Sequence, residues 1–304
     1  MQGDQSDYTE FVFFPLTFSG LSCAIISCLA SFIVSILCIY SKFYKKQVGL
    51  VVLWINFTDF IFCGFKILNV FIPHRSNATC AFVQAVSGYG LVSSVISSVL
   101  FGYVLYIMLK IRSSEIPARI FNIYIGIALL VPAVEVIGVL LADFVVYSEQ
   151  LDTCVHRVHK RSVDYSFIFL RDIPFGLFCF LSIVCYVRIV WTIKSVVRHA
   201  RNSDLLAFMA YPGIVICCWL PNLVNNALTE FGVEINHTVI TFFLMFGQLQ
   251  GLWDAIAYGT SKNIRMFCSQ RCKKRSEVED ENMGQSLTKY SSEDNAEGTH
   301  INFE

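Results

Sequence analysis

Charge is what this sequence has least of. Charged residues make up 15% of its 304 positions against 55% hydrophobic ones, whereas soluble domains carry about 25% charged residues; a chain so composed finds its solvent in lipid. Between Phe11 and Ser41 there is no charged side chain at all, well beyond the ~20 apolar residues that cross a bilayer core. The residues before that run include Asp4, Asp7 and Glu10 but no Lys or Arg. The basic n-region of a cleaved signal peptide is therefore missing, and the run is too long for an h-region, so it reads as a permanent span. Histidine is scarce too. His74, His156, His159, His199, His237 and His300 fall in loops or at ends, which leaves no set of His and carboxylate ligands for a membrane zinc hydrolase. No catalytic residue, metal or cofactor is expected, and the chain is not expected to be an enzyme.

What is present is a series of apolar runs separated by polar punctuation, at 14–40, 48–72, 80–111, 120–145, 165–193, 205–230 and 238–260. That predicts an all-α membrane protein, a seven-transmembrane helix bundle, preceded by a short extracellular N-terminus over 1–13. The basic residues set its orientation, because Lys and Arg concentrate in cytoplasmic loops. Alternate loops hold Lys42, Lys45 and Lys46, then Lys110, Arg112 and Arg119, then Lys194, Arg198 and Arg201, while the other side holds only Arg75, Arg157, Lys160 and Arg161. The N-terminus is thus expected outside and the tail inside, in the plasma membrane. After the last span, 261–272 places Ile264, Phe267 and Cys268 opposite Lys262, Arg265 and Arg271, the pattern of an amphipathic helix on the inner leaflet. Cys268 and Cys272 stand where palmitoylation occurs, or are two reduced thiols. The segment 273–304, rich in Ser, Glu, Asp, Asn and Gly, reads as a disordered tail.

Of 12 cysteines, those outside the spans and away from the cytoplasmic side are Cys80 and Cys154. Secretory-pathway chemistry would join them and pin the long outer loop over the bundle; the alternative is two free thiols. The sequons at Asn77 and Asn236 face outward but lie close to the membrane, and a third match at Asn56 falls inside the second span.

Ionisable groups at membrane depth are costly and so are functional candidates. Lys66, Glu135, Arg171 and Asp172 lie in the outer halves of their spans and form a candidate ligand pocket of mixed sign; pairing among themselves is the structural alternative. Asp59 and Asp254 lie deeper, where a conformational switch is the better expectation. Pro174, Pro212 and Pro221 each remove a helix hydrogen bond and predict kinks in the fifth and sixth spans.

Two segments carry a resemblance. The sixth span reads Tyr211-Pro212, then Trp219 and Asn226, and the seventh ends Gly251-Leu252, then Ala255-Ile256-Ala257-Tyr258-Gly259. With Cys80 and Gln84 in the third span and Asp59 in the second, these positions resemble the cyclic AMP receptor-like group of slime moulds and its plant relatives, akin to the secretin-type receptors. The likeness extends thinly from about Leu50 to Arg265. It implies a G-protein-coupled receptor of rhodopsin-like seven-helix architecture, a bridge from the third span to the second outer loop, and coupling to a Gα subunit through the inner loops. Asp59, Tyr211, Pro212, Trp219, Asn226, Asp254 and Tyr258 become candidate switch and coupling residues. Two features depart from the pattern. Asp254 stands where relatives often carry Asn, which predicts a resting state sensitive to pH or cations. The third span ends in Tyr103, Tyr106, Lys110, Ile111 and Arg112 with no Asp-Arg-Tyr triplet.

The expected partners are an extracellular small molecule, a heterotrimeric G protein and membrane lipid, drawn to the basic cluster Arg271–Arg275 rather than nucleic acid. An arrestin-like protein and a receptor kinase would act on Ser286, Thr288, Ser291, Ser292 and Thr299, each phosphate adding about −1.5 to −2 charges. A light-driven opsin is excluded, because no lysine lies between Asn236 and Ser261 to form a retinal Schiff base. The competing function is a transporter or channel subunit whose permeation path uses the buried charges.

Overall fold

Apolar runs in lipid have one economical way to satisfy their backbone N–H and C=O groups, which is to close them within a helix. The computed structural model describes residues 8–11, 18–71, 76–111, 116–141, 145–148, 153–159, 173–196, 210–230 and 236–259. It places helices α1 (Phe18–Tyr40), α2 (Gln47–Phe71), α3 (Asn77–Ile111), α4 (Ala118–Leu141), α5 (Ile173–Val196), α6 (Ala210–Glu230), α7 (His237–Gln248) and α8 (Gln250–Gly259). Helices α1 to α4 are each long and apolar enough to cross a membrane, and α7 with α8, bent by 40°, makes a further span. Helix α1 packs on α2, α2 on α3, α3 on both α4 and α5, α5 on α6 and α6 on α7, while α8 returns against α1, α2 and α6 and closes the ring. Helix α3 also touches α6, so it runs through the middle.

Between helices in lipid there is no hydrophobic gain, and close approach and interhelical hydrogen bonds do the work. Gly90 shows the first: a Cβ there would stand 2.7 Å from the backbone nitrogen of Phe62 and 2.8 Å from the carbonyl oxygen of Thr58, so α2 and α3 touch backbone to backbone. Ser93 shows the second, accepting from Trp54 Nε1 at 3.2 Å and donating to the Ala128 carbonyl at 3.1 Å, which ties α2, α3 and α4 together. Phe62, Cys63, Val95, Cys179, Val215, Cys218 and Trp219 form the apolar core beside it.

One expectation needs correction, and two others gain detail. The seventh span is not one helix: it breaks at Leu249, and side chains from α1 and α2 cover the break. The Ser27 hydroxyl accepts from the Leu252 N–H at 3.0 Å, and the Cys63 thiol lies 4.0 Å from the Gln248 carbonyl. Of the three prolines, Pro221 is an interior helix residue; Pro174 and Pro212 are the second and third described residues of α5 and α6, and the chain before them lies outside the described residues. Pro132, inside α4, is the second interior proline. Finally, a small sheet joins the helices. Strands β1 (Tyr8–Phe11), β2 (Val145–Ser148) and β3 (Thr153–His159) pair antiparallel in the order β1-β3-β2, with Tyr8 opposite His159 and Tyr147 opposite Cys154.

Candidate functional site

Asp59 is the central residue of α2 and Asp254 lies midway along α8; both are buried. Their carboxyl groups are neighbours. What brings them together is the seat of α8. A Cβ on Gly251 would stand 2.7 Å from Ser27 Oγ and 3.1 Å from Asp59 Cβ, and would overlap Ser31 Oγ, so only glycine lets α8 settle this deeply against α1 and α2.

A hydrogen-bond relay runs from this pair to the core tryptophan. Ser94 Oγ on α3 donates to Asp59 Oδ1 at 2.5 Å. The same oxygen accepts from Gln250 Nε2 at 2.7 Å, both of which one hydroxyl can do. Gln250 Nε2 also stands 3.5 Å from Asp254 Oδ2, and its Oε1 accepts from Trp219 Nε1. Trp219, Gln250, Ser94 and Asp59 thus join α6, α8, α3 and α2 in one continuous polar path. Its far end packs edge-on against Phe62, ring centroids 6.0 Å apart.

Further buried polar atoms border the path. Asp59 Oδ2, Asp254 Oδ1 and Ser31 Oγ are buried, and among the described residues no N–H or hydroxyl donates to them. Two neighbouring carboxylates in a buried interior cannot both carry charge without a proton or cation between them. Toward the basic loops, the Tyr211 hydroxyl donates to the Asp254 carbonyl at 3.4 Å while its ring meets Phe101 edge-on at 5.5 Å. Tyr258, also buried, packs on Phe43 at 5.8 Å. Asn222 Nδ2, beside Pro221, donates to the carbonyls of Cys218 at 3.1 Å and Phe243 at 3.0 Å. It links α6 to α7 where the proline has removed a donor.

The structure therefore gathers Asp59, Trp219 and Asp254 around one relay, with Tyr211 hydrogen-bonded to the Asp254 backbone and Tyr258 one turn further along α8. Pro212 lies against α3: its ring carbon would meet a Cβ on Gly102 at 2.6 Å. The side chain of Asn226 lies outside the described residues. Of the outer candidates, Lys66 is half-buried on α2; the side chain of Glu135 on α4, together with Arg171 and Asp172, lies outside the described residues. So do the amphipathic segment with Cys268 and Cys272 and the tail with its hydroxyls. Cys80 is buried in the first turn of α3 and is disulfide-bonded; the side chain of Cys154 lies outside the described residues. Asn77 opens α3, and Asn236 caps α7 by accepting from the Thr238 N–H at 2.9 Å. Sequence reasoning passed over Ser94 and Gln250. The readable signals were the Ser93-Ser94 and Ser97-Ser98 pairs at helical spacing, and Gln250 one turn before Asp254.

No family model matches the chain, and no curated protein matches it. Among solved structures, the crystal structure of squid rhodopsin aligns with a TM-score of 0.61 over 82% of this chain and 77% of that one, at 17% identity. The fold is rhodopsin-like. The broken seventh span and the central third helix are parts of that bundle. At 17% identity the likeness is one of fold. The rhodopsin-like bundle here has no lysine in α7 or α8.

Proposed function

We propose that this chain is a receptor of the plasma membrane, N-terminus outside, that passes the signal of an extracellular small molecule to a heterotrimeric G protein by rearranging its helices. The observation that carries this reading is the relay from Trp219 through Gln250 and Ser94 to Asp59. Hydrogen bonds that join four helices at their centre favour one arrangement of the bundle. A ligand that moves α6, which Pro221 weakens at mid-helix, would exchange that arrangement for another, and the signal would emerge on the side of Tyr258 and the basic loops. Lys66, Glu135, Arg171 and Asp172 are the proposed ligand contacts, and Cys154 the proposed disulfide partner of Cys80 in the outer sheet. Coupling to arrestin-like proteins and a receptor kinase through the tail belongs to the same reading. So does kinship with the cyclic AMP receptor-like group, supported by Tyr211-Pro212, Trp219 and the Ala255–Gly259 block.

The test is guanine-nucleotide exchange on a panel of Gα subunits held next to the receptor in membranes, with and without cyclic nucleotides. Exchange above that of Tyr258→Ala supports the receptor and names its transducer. No exchange with any subunit would shift the weight to solute flux that depends on Arg171. A second measurement addresses the carboxylate pair. Acid or a monovalent cation should favour the packed arrangement, and raising the pH or withdrawing the cation should loosen it, raising basal exchange. Asp254→Asn, which leaves one carboxylate, should lose that response; identical profiles for the two proteins would remove the idea.

A further inference from the structure

Away from the relay, a groove opens between α3 and α5, lined by Tyr103, Tyr106, Val184, Cys185 and Arg188, with a volume of about 220 Å³. Drug-sized ligands occupy roughly 300–1,000 Å³, so this groove suits a smaller group. It faces outward: Tyr103 is 48% and Val184 39% exposed, and Arg188 is exposed. Neither helix has an acidic residue along its length. Helix α3 carries Lys110, and α5 carries Arg188 and Lys194. An arginine on a helix face that lipid covers needs an anion or a route to the interface. One turn beyond Arg188, Trp191 is 72% exposed, the placement of an aromatic anchor at headgroup level.

We propose that this groove binds one anionic phospholipid of the cytoplasmic leaflet. The phosphate sits at the Arg188 guanidinium, a planar donor suited to phosphate oxygens, with the phenol hydroxyls of Tyr103 and Tyr106 as further donors. The glycerol end and the start of an acyl chain lie along Val184 and Cys185. Arginine and two phenols supply donors without a competing carboxylate from either helix, which selects an anionic headgroup over a neutral one, and the apolar floor selects a lipid over free phosphate. The site rests on the proposed orientation of the bundle and not on coupling to a G protein.

The experiment uses the full-length protein in bilayer discs of phosphatidylcholine containing a minor share of phosphatidylinositol 4,5-bisphosphate, released into native mass spectrometry. Wild type should retain one anionic lipid about fivefold more than Arg188→Gln, the factor expected for one basic residue at an anionic surface. Arg188→Lys should keep part of the difference, and the Tyr103→Phe, Tyr106→Phe double variant should lose part of it. Soluble inositol trisphosphate should fail to displace the lipid. Equal retention by wild type and Arg188→Gln would overturn the site, as would an equal loss in Lys45→Gln, a basic residue elsewhere on the same side, because diffuse charge attraction would then suffice. Displacement by the soluble headgroup would replace the lipid with a phosphate site. If Arg188→Gln fails to melt as wild type does, the double tyrosine variant carries the test, and unchanged retention there overturns the proposal. Labelling of an N-terminal tag on intact cells reports the orientation separately.

Discussion

Helices α3 and α4 are both apolar enough to cross a membrane, yet 67% of the α3 span is buried and only 18% of the α4 span. The difference lies in their small polar residues. Helix α3 buries Ser87, Ser93, Ser94, Ser97 and Ser98, and Gly90 lets it reach α2. Helix α4 has no serine, turns Leu130, Val134 and Ile137 outward at 67%, 68% and 55% exposure, and is held to α3 by bonds at Ser93 and Tyr124. Hydropathy tells which helices enter the bilayer. Serine and glycine tell which one stands in the middle.

The contrast is sharpest at matched glycines. Gly90→Ala should cost about 3 kcal/mol, since its methyl meets backbone that cannot yield, whereas Gly126→Ala on α4, where a Cβ would meet nothing within 4 Å, should gain up to ~1 kcal/mol of helix propensity. Thermal melting of the two proteins in one bilayer composition checks both, and equal melting would deny α3 its central packing. Next in size, Ser94→Ala should cost about 2 kcal/mol by stranding Asp59 Oδ1 and leaving Gln250 Nε2 with only its 3.5 Å contact to Asp254 Oδ2. It should also raise ligand-independent exchange; a stable variant with wild-type exchange would separate the relay from signalling. Smallest, Leu130→Ala should shift stability by less than about 0.5 kcal/mol, because its side chain is exposed on α4; a larger loss would mean that α4 meets another protein surface there.

The spans were legible because each is a run of apolar residues, and α2 came within one residue at either end of the 48–72 expected. The break at Leu249 was not, since hydropathy averages across it, and what stabilises it is Ser27 and Cys63 from α1 and α2. Asp59 and Asp254 announced themselves by the cost of a carboxylate in lipid. Ser94 and Gln250 are neutral, cost far less, and matter only through partners 35 and 156 residues away. Strand β3 was not legible, because Thr153–His159 shows no apolar alternation, and its pairing with Tyr8–Phe11 joins chain that sequence order keeps far apart.

That pairing sets a schedule for biosynthesis. Strand β1 is made before every one of the helices, yet its partner His159 for Tyr8 is translated only after α1 to α4 have all been made. At roughly 5–20 residues per second, the N-terminal strand waits on the order of ten seconds with its backbone groups in water. Closure of the sheet is therefore a late event, and a nascent chain whose first four helices misinsert would present β1 unpaired to the folding machinery of the compartment it has entered.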